Sequence, residues 1–141
     1  MQNYLLDACA VLAFLKNEAG ADMVRELLDK AERKEITVSM NAVNLIEVYY
    51  DRIRMIGSDL SHAIIREIYN TFPISIIETI DSAIVGEAAR LKAMGKMSFA
   101  DTILVATARC TGAAIVTCDH IELESVERQE PISFLWIRPQ F

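Results

Sequence analysis

The stretch NYLLDACAVLAFLKN, residues 3–17, contains the change of pattern that decides the fold. Its first four residues form a short apolar run that predicts a buried strand, and Asp7 follows this run directly. Residues 8–17 then predict a short helix, so strand gives way to helix across a single acidic residue. This order is typical of α/β proteins, in which short buried strands alternate with helices.

The rest of the chain repeats this alternation. Further strands are predicted at ITVS, ISII, AAIVT and ISFLWI, which are residues 36–39, 74–77, 113–117 and 132–137. Helices are predicted over residues 20–34, 41–57, 58–72, 80–95 and 98–112. The strands are short, apolar and rich in Ile and Val, as in parallel sheets covered on both faces. The sequence therefore predicts one α/β domain over residues 1–141, a three-layer α/β/α sandwich with a central, mostly parallel sheet.

Composition and charge limit the possible functions. Hydrophobic residues make up 52% of the 141 residues and there are only three Pro, which excludes a disordered chain. The net charge of −6 disfavours long, non-specific DNA binding but leaves room for a small phosphate site bridged by a metal ion.

The termini and cysteines indicate a cytoplasmic protein. The N-terminal segment lacks a basic region and Asp7 interrupts its apolar run, so we expect neither a signal peptide nor a membrane span. Cys9, Cys110 and Cys118 show no CxxC spacing, which argues against a disulfide framework or a zinc site and fits a reducing compartment. Cys9 and Cys118 both adjoin strand-end acids, and we interpret them as small buried thiols in preference to a redox pair.

Four acidic residues occupy positions at which a parallel sheet can gather side chains. Asp7 and Asp119 each follow a strand, and the carboxyl ends of parallel strands meet at one edge of the sheet. Asp101 lies in the first turn of the helix that begins after Ser98, an arrangement typical of a capping box. A helix-capping role and a role in chemistry are both open for Asp101.

Glu47 is the fourth acid and lies on the predicted helix 41–57. It projects along the edge of a stripe that we expect to be buried, formed by Val43, Ile46, Tyr50 and Ile53. Asn44, one turn earlier, is placed to hydrogen-bond the Glu47 carboxylate. The alternatives are that Glu47 extends outward from the stripe or repels its i+4 neighbour Asp51.

A cluster of these four carboxylates calls for a divalent cation. Carboxylates within a few ångströms of each other repel, so some must bind protons unless a cation neutralises them. Oxygen ligands suit Mg²⁺ or Mn²⁺, and two scattered His residues are too few for zinc. Such clusters, with their metal, hydrolyse phosphodiesters.

The order of these motifs resembles the PIN-domain ribonucleases, and most of all the VapC-type toxins of toxin–antitoxin systems. The segments that carry the resemblance are LLDACAVLA, NLIE, SFADTILVATA and VTCD. It implies a Mg²⁺- or Mn²⁺-dependent endoribonuclease whose catalytic and metal-binding residues are Asp7, Glu47, Asp101 and Asp119. Thr117 would hold a carboxylate or a water, and a homodimer silenced by a small antitoxin is implied as well.

This sequence departs from the family pattern at two places. Cys9 stands where many members carry Ser or Thr, and a thiol is a weaker hydrogen-bond donor for orienting Asp7. The stretch HIELES after Asp119 is less basic than expected, and Glu122 there either joins the cluster or caps a turn.

Other residues are assigned supporting roles. Asn44, Ser98, Cys9 and Thr117 would position the acids. Four basic residues are possible RNA contacts, with a solvated surface as the competing interpretation: Arg90, Lys92, Lys96 and His120. The Ile-rich helix over residues 60–72 is the candidate for a dimer interface.

Two rival functions remain at this stage. One is a metal-dependent phosphatase acting on a small molecule, but phosphatases that form an aspartyl-phosphate carry a second Asp where this chain has Cys9. The other is a PIN-like module that binds RNA or protein with weak or no cleavage. The presence of all four acids argues against the second.

Overall fold

The computed structural model describes residues 1–140 and contains five strands and seven helices in that range. The strands are β1 Asn3–Leu6, β2 Thr37–Asn41, β3 Ser75–Ile77, β4 Ala114–Thr117 and β5 Phe134–Trp136. The helices are α1 Ala8–Leu15, α2 Ala21–Glu32, α3 Ala42–Ile56, α4 Ser58–Asn70, α5 Ser82–Met94, α6 Phe99–Thr111 and α7 His120–Gln129.

The five strands form one sheet in the order β3-β2-β1-β4-β5, and all four pairings are parallel. Strand β1 lies at the centre, where Leu5 is opposite Ser39 of β2 and Ile115 of β4. This confirms the predicted α/β architecture. Because all pairings are parallel, the carboxyl end of every strand lies at the same edge of the sheet.

Each face of the sheet supports its own apolar core. Leu6 and Met40 belong to one core, which includes buried residues of α1, α2, α3 and α4. Leu5 and Ile115 belong to the other, which includes buried residues of α5, α6 and α7. Successive residues of β1 thus contribute to opposite cores, as the alternation of side chains along a strand requires.

The structure corrects the predicted packing of two helices. On α3, Ile46, Tyr50 and Ile53 are 61%, 45% and 41% exposed, and the buried side is formed instead by Asn44, Leu45, Val48 and Arg52. On α4, Ile65 and Ile68 are buried within the domain, so the apolar face proposed as a dimer interface packs against the core. Hydrophobic residues occur on two sides of α3, and periodicity alone selected the wrong side.

Helix α7 was not predicted from the sequence. Its segment HIELESVERQ is mostly polar, and only Leu123 and Val126 are buried. The Asp119 side chain accepts a hydrogen bond from the Glu122 backbone N–H at 3.1 Å and so caps the helix. Within residues 1–140, no helix is long and apolar enough to cross a bilayer.

The junction between Gly20 and Ile137 joins the start of α2 to the residue after β5. Gly20 has a φ of +96°, and a Cβ built on it would lie 2.8 Å from both Ile137 Cδ1 and Ile137 O. Gly112, which ends α6, has a φ of +73°, but a Cβ there would meet nothing within 4 Å.

We expect Gly20→Ala to lower the free energy of unfolding by more than about 2 kcal/mol, because it adds a steric clash to a left-handed backbone conformation. Gly112→Ala, the matched control, should cost only about 1 kcal/mol because its Cβ meets open space. Equilibrium denaturant unfolding of the two variants measures the difference. Equal losses would show that Ile137 relaxes freely.

Candidate active site

One cavity at the carboxyl edge of the sheet brings all four predicted acids together. Its volume is about 370 Å³, and the residues that line it are Asp7, Ala8, Cys9, Leu12, Glu47, Tyr50, Asp51, Ser98, Asp101, Asp119 and Glu122. The four acids come from separate places: the residues after β1 and β4, the middle of α3 and the first turn of α6. Only the tertiary fold can gather residues this far apart in the chain.

Asp7 is the most constrained of the four. It is 5% exposed, its Oδ1 accepts a hydrogen bond from the Ala8 N–H at 2.8 Å, and its Oδ2 accepts one from the Thr117 hydroxyl at 2.8 Å. Burial raises the pKa of Asp7 well above its ordinary value, and the nearby Cys9 and Asp101 raise it further. The two hydrogen bonds act in the opposite direction, because they stabilise the charged form.

Thr117 connects Asp7 to Asp119. The Thr117 hydroxyl oxygen accepts a hydrogen bond from the Asp119 backbone N–H at 3.1 Å while its own proton is donated to Asp7. Thr117 is completely buried at the last position of β4. One hydroxyl therefore fixes two of the acidic residues relative to each other.

The structure assigns the helix cap to Ser98 and places Asp101 in the first turn of α6, with its carboxylate at the cavity. Ser98 caps α6 by accepting a hydrogen bond from the Asp101 N–H at 3.1 Å, which leaves the Asp101 carboxylate available to the cavity. Burial raises the pKa of Asp101 to about 6, and the charges of Asp119, Glu47 and Glu122 contribute to the increase. The metal-free folded protein therefore binds this proton more tightly than the unfolded chain, so its stability should fall as pH rises towards and through about 6.

Glu47 is oriented by Asn44, as the spacing suggested. Asn44 is completely buried, and its Nδ2 donates a hydrogen bond to Glu47 Oε1 at 3.1 Å. Asn44 Oδ1 is the one buried side-chain polar atom among residues 1–140 for which the structure shows no hydrogen-bond partner. Burying an amide with an unsatisfied oxygen is costly, so the hydrogen bond to Glu47 is the evident reason for an Asn at this position.

The four basic residues proposed as RNA contacts are placed differently from one another. Arg90 is bound by Glu87 and Glu130 in an ion-pair cluster, and Lys92 donates to the Met97 carbonyl. The His120 ring stacks on Trp136 at 4.1 Å and donates from Nε2 to the Arg138 carbonyl. Of the four, Lys96 alone makes no ion pair or side-chain hydrogen bond within residues 1–140; it lines a separate, neighbouring pocket that shares Glu122 with the acid cavity.

Sequence reasoning did not assign Asp51 and Tyr50 to the cavity. Asp51 follows Glu47 by four residues and so lies on the same side of α3, which was the available signal. Arg52 donates two hydrogen bonds to the Asp51 carboxylate, at 2.9 and 3.2 Å from Oδ2, so Asp51 already has a counter-charge. The sequence pattern placed Tyr50 in the expected buried stripe of α3, so its position at the cavity was not predicted.

The donors are oxygen atoms, and their spacing suits a divalent cation that keeps part of its water shell better than a fully dehydrated one. No three His, Cys, Asp or Glu side chains in residues 1–140 come close enough to hold one ion directly between them. The carboxylates line the wall of a cavity with room for an ion and its waters. Mg²⁺ characteristically keeps several waters and binds through one or two carboxylates, and the burial and mutual repulsion of these acids favour a cation.

Comparisons with known proteins agree with this geometry. The model of the PIN domain family matches residues 4–128, which confirms the resemblance seen in the sequence. No curated protein matches the chain at a significant level.

Several solved structures have the same fold. The VapBC complex from Salmonella typhimurium, bound to DNA, contains a chain with a TM-score of 0.74 at 14% identity, covering 98% of this chain and 100% of that one. VapBC2 from Rickettsia felis, bound to a DNA fragment from its promoter, gives 0.73 at 16% identity, covering 95% and 98%. VapBC-1 from nontypeable Haemophilus influenzae gives 0.72 at 14% identity, covering 96% and 98%. At these identities the likeness establishes the fold.

We expect Asp101→Asn to leave the metal-free protein as stable as wild type or more stable, because the substitution removes one of several crowded charges. Stabilisation by excess Mn²⁺ should shrink or vanish, since it follows RT ln(1 + [L]/Kd) and the altered cavity binds metal poorly. Thermal melts of wild type and variant, each with EDTA and with Mn²⁺, supply the comparison.

The matched control is Asp59→Asn, which removes an exposed acid from the first turn of α4 that does not line the cavity. It should cost a few tenths to about 1 kcal/mol with or without metal, as loss of a helix-dipole interaction does. If Asp101→Asn behaves like this control, Asp101 only supports its helix.

Proposed function

This chain belongs to the PIN domain family, and we propose that it is a single-domain, Mg²⁺- or Mn²⁺-dependent endoribonuclease, the cytoplasmic toxin of a toxin–antitoxin pair. One observation carries the proposal: four carboxylates from separate elements line a single cavity at the carboxyl edge of a parallel sheet. Structural needs alone do not account for this, because Asp7 and Asp101 are buried with like charges as neighbours. The polar cavity suits a phosphodiester bridged by a cation.

The residues of the chain would divide the work by position. A divalent cation held among Asp7, Glu47, Asp101 and Asp119, partly through its own water molecules, would neutralise phosphate charge and increase the acidity of a water molecule. Thr117 fixes the positions of Asp7 and Asp119 relative to each other, and Asn44 orients the Glu47 carboxylate towards the cavity. Ser98 caps α6 by accepting the Asp101 backbone N–H, so the Asp101 carboxylate is not needed as the helix cap. These fixed side chains would orient the phosphate and the attacking water without needing the RNA 2′-hydroxyl.

An antitoxin partner is supported by the surface beside the cavity. Ile46, Tyr50 and Ile53 form an exposed apolar stripe along α3, and Tyr50 also lines the acid cavity. A partner that covers the stripe with apolar side chains would bring its adjoining residues to the acids, where an Arg fork could pair with carboxylates. A solved structure with this fold, from Klebsiella pneumoniae, is described as a toxin–antitoxin complex.

A homodimer is supported by a different surface from the one expected. An apolar groove of about 300 Å³ between α5 and α6 is lined by Val85, Ala88, Phe99 and Ile103, among others. Val85 and Phe99 are 56% and 64% exposed, which is unusual for adjacent large apolar side chains on a monomer surface. We propose this groove, in place of the buried face of α4, as the site of self-association.

We expect cleavage of structured RNA that requires Mg²⁺ or Mn²⁺ and leaves 5′-phosphate and 3′-hydroxyl ends, because water is the nucleophile. EDTA should abolish the activity and Asp101→Asn should lower it by at least about 100-fold, while Asp59→Asn keeps the wild-type rate. Product ends can be identified by mass spectrometry of the fragments. Cyclic 2′,3′-phosphate products, or full activity in EDTA, would rule out this mechanism.

The dimer is tested through the groove between α5 and α6. We expect light scattering of the purified protein to give twice the chain mass of 15.8 kDa, and Phe99→Asp to give the monomer. Ile121→Asp is the control, because Ile121 is 94% exposed and lies on α7 outside the groove. A wild-type monomer at micromolar concentration, or a Phe99→Asp dimer, would contradict the assignment.

A further inference from the structure

Cys9 and Cys118 meet at the wall of the acid cavity. Cys9 lies in the first turn of α1 and Cys118 follows β4, so the parallel pairing of β1 with β4 brings them to the same edge. The Cys118 backbone N–H donates to Cys9 Sγ at 3.1 Å. Because the N–Cα bond is about 1.46 Å long, the Cα atom of Cys118 lies within about 4.6 Å of Cys9 Sγ. A disulfide can form across this separation after the two side chains rotate.

Solvent reaches Cys9 through the cavity. Cys9 lines the cavity wall, and both cysteines are partly exposed free thiols. Cys110, the third cysteine, is exposed near the far end of α6 and does not line the cavity. The chain thus contains two adjacent thiols and one isolated thiol that serves as an internal reference.

We propose that Cys9 and Cys118 form a modification site that a hydroperoxide oxidises to a reversible disulfide. One cysteine sulfur attacks the peroxide O–O bond, which breaks to give a sulfenic acid. The released hydroxide, or the alkoxide in the case of an organic hydroperoxide, takes the thiol proton and leaves as water or alcohol. The second sulfur then attacks the sulfenic sulfur. The S–S bond forms, the S–O bond breaks, and the hydroxyl leaves with the second thiol proton as water. Two thiols lose two electrons and the peroxide gains them, whichever sulfur reacts first.

The disulfide would act on the acids through the residues that flank it. In the reduced protein, Cys9 Sγ lies 3.2 Å from Thr117 Oγ1 and 3.5 Å from Asp7 Oδ2. An S–S bond of about 2.05 Å requires this sulfur to turn towards Cys118, which removes both contacts and the acceptor of the Cys118 N–H. Cys118 lies between Thr117 and Asp119, so the bond strains the segment that fixes two acids. The disulfide therefore weakens divalent-cation binding, a step that rests on the proposed function.

The disulfide itself is tested by intact mass under non-reducing conditions. In a Cys110→Ser background, hydrogen peroxide should remove two hydrogen atoms from the monomer and both free thiols from a thiol count, and dithiothreitol should restore them. Adding Cys9→Ser or Cys118→Ser should abolish the loss of two hydrogens and leave a sulfenic acid that dimedone traps. If the Cys110→Ser protein keeps two free thiols while Cys110 of the wild type is oxidised under the same conditions, the proposal is overturned.

The consequence for the cavity has a separate readout. Oxidised Cys110→Ser protein should lose most of the Mn²⁺-induced increase in melting temperature that the reduced protein shows, and regain it after reduction. An unchanged increase in the oxidised protein would overturn the switch while leaving the modification site. Failure of the nuclease proposal would be seen in the untreated protein, as absent RNA cleavage, and is thereby distinguished from failure of the redox proposal.

Discussion

The hydrogen bond from the Thr117 hydroxyl to Asp7 Oδ2, 2.8 Å long and fully buried, is the contact on which the arrangement of the cavity depends. It joins the ends of two neighbouring parallel strands, β1 and β4, across the centre of the sheet. The same hydroxyl accepts from the Asp119 N–H, so both strand-end acids are set by one small side chain. A buried hydroxyl with both its donor and its acceptor in use holds its geometry well, because any rotation would leave a buried group unpaired.

The fold tolerates crowded acids because three of the four also lie at the N-terminus of a helix. Asp7 begins α1 and Asp119 begins α7, and each accepts a backbone N–H of its own helix. Asp101 lies in the first turn of α6, where the helix dipole favours a negative charge. The interaction with helix N-termini thus offsets part of the free-energy cost of burying three of the four acids. Burial and, to a smaller extent, the neighbouring acidic groups raise the pKa values of Asp7 and Asp101, and a cation would relieve the repulsion.

The sequence predicted the sheet and its acids better than it predicted the helix faces. Strand-end acids such as Asp7 and Asp119 are readable because a parallel sheet has one carboxyl edge, whatever the details of packing. The buried side of α3 was not readable, because Ile46 and Tyr50 compete with Leu45 and Val48 and only the position of the sheet decides between them. Helix α7 was not predicted because it has too few apolar residues: only two of its residues are buried. The helix is stabilised by its Asp119 cap and by its contact with the domain, and neither produces a strong apolar period in the sequence. The stripe of Ile46, Tyr50 and Ile53, which the sequence pattern assigned to the core, is exposed, and it is the surface that we propose for a partner protein.

Charge explains why such a cavity would depend on a cation and a partner together. The chain carries a net charge of −6, and Glu122 adds to the acids around the cavity, whereas Asp51 is paired with Arg52. Arg90 and Arg109 are engaged with Glu87 and Glu130, so they do not offset this negative potential at the site. A phosphate approaching the bare cavity meets like charge on most sides, which makes a bound cation a condition for affinity as well as for chemistry. The same negative potential attracts a basic peptide segment, so one set of acids suits both the proposed cleavage of RNA and its proposed inhibition by a partner protein.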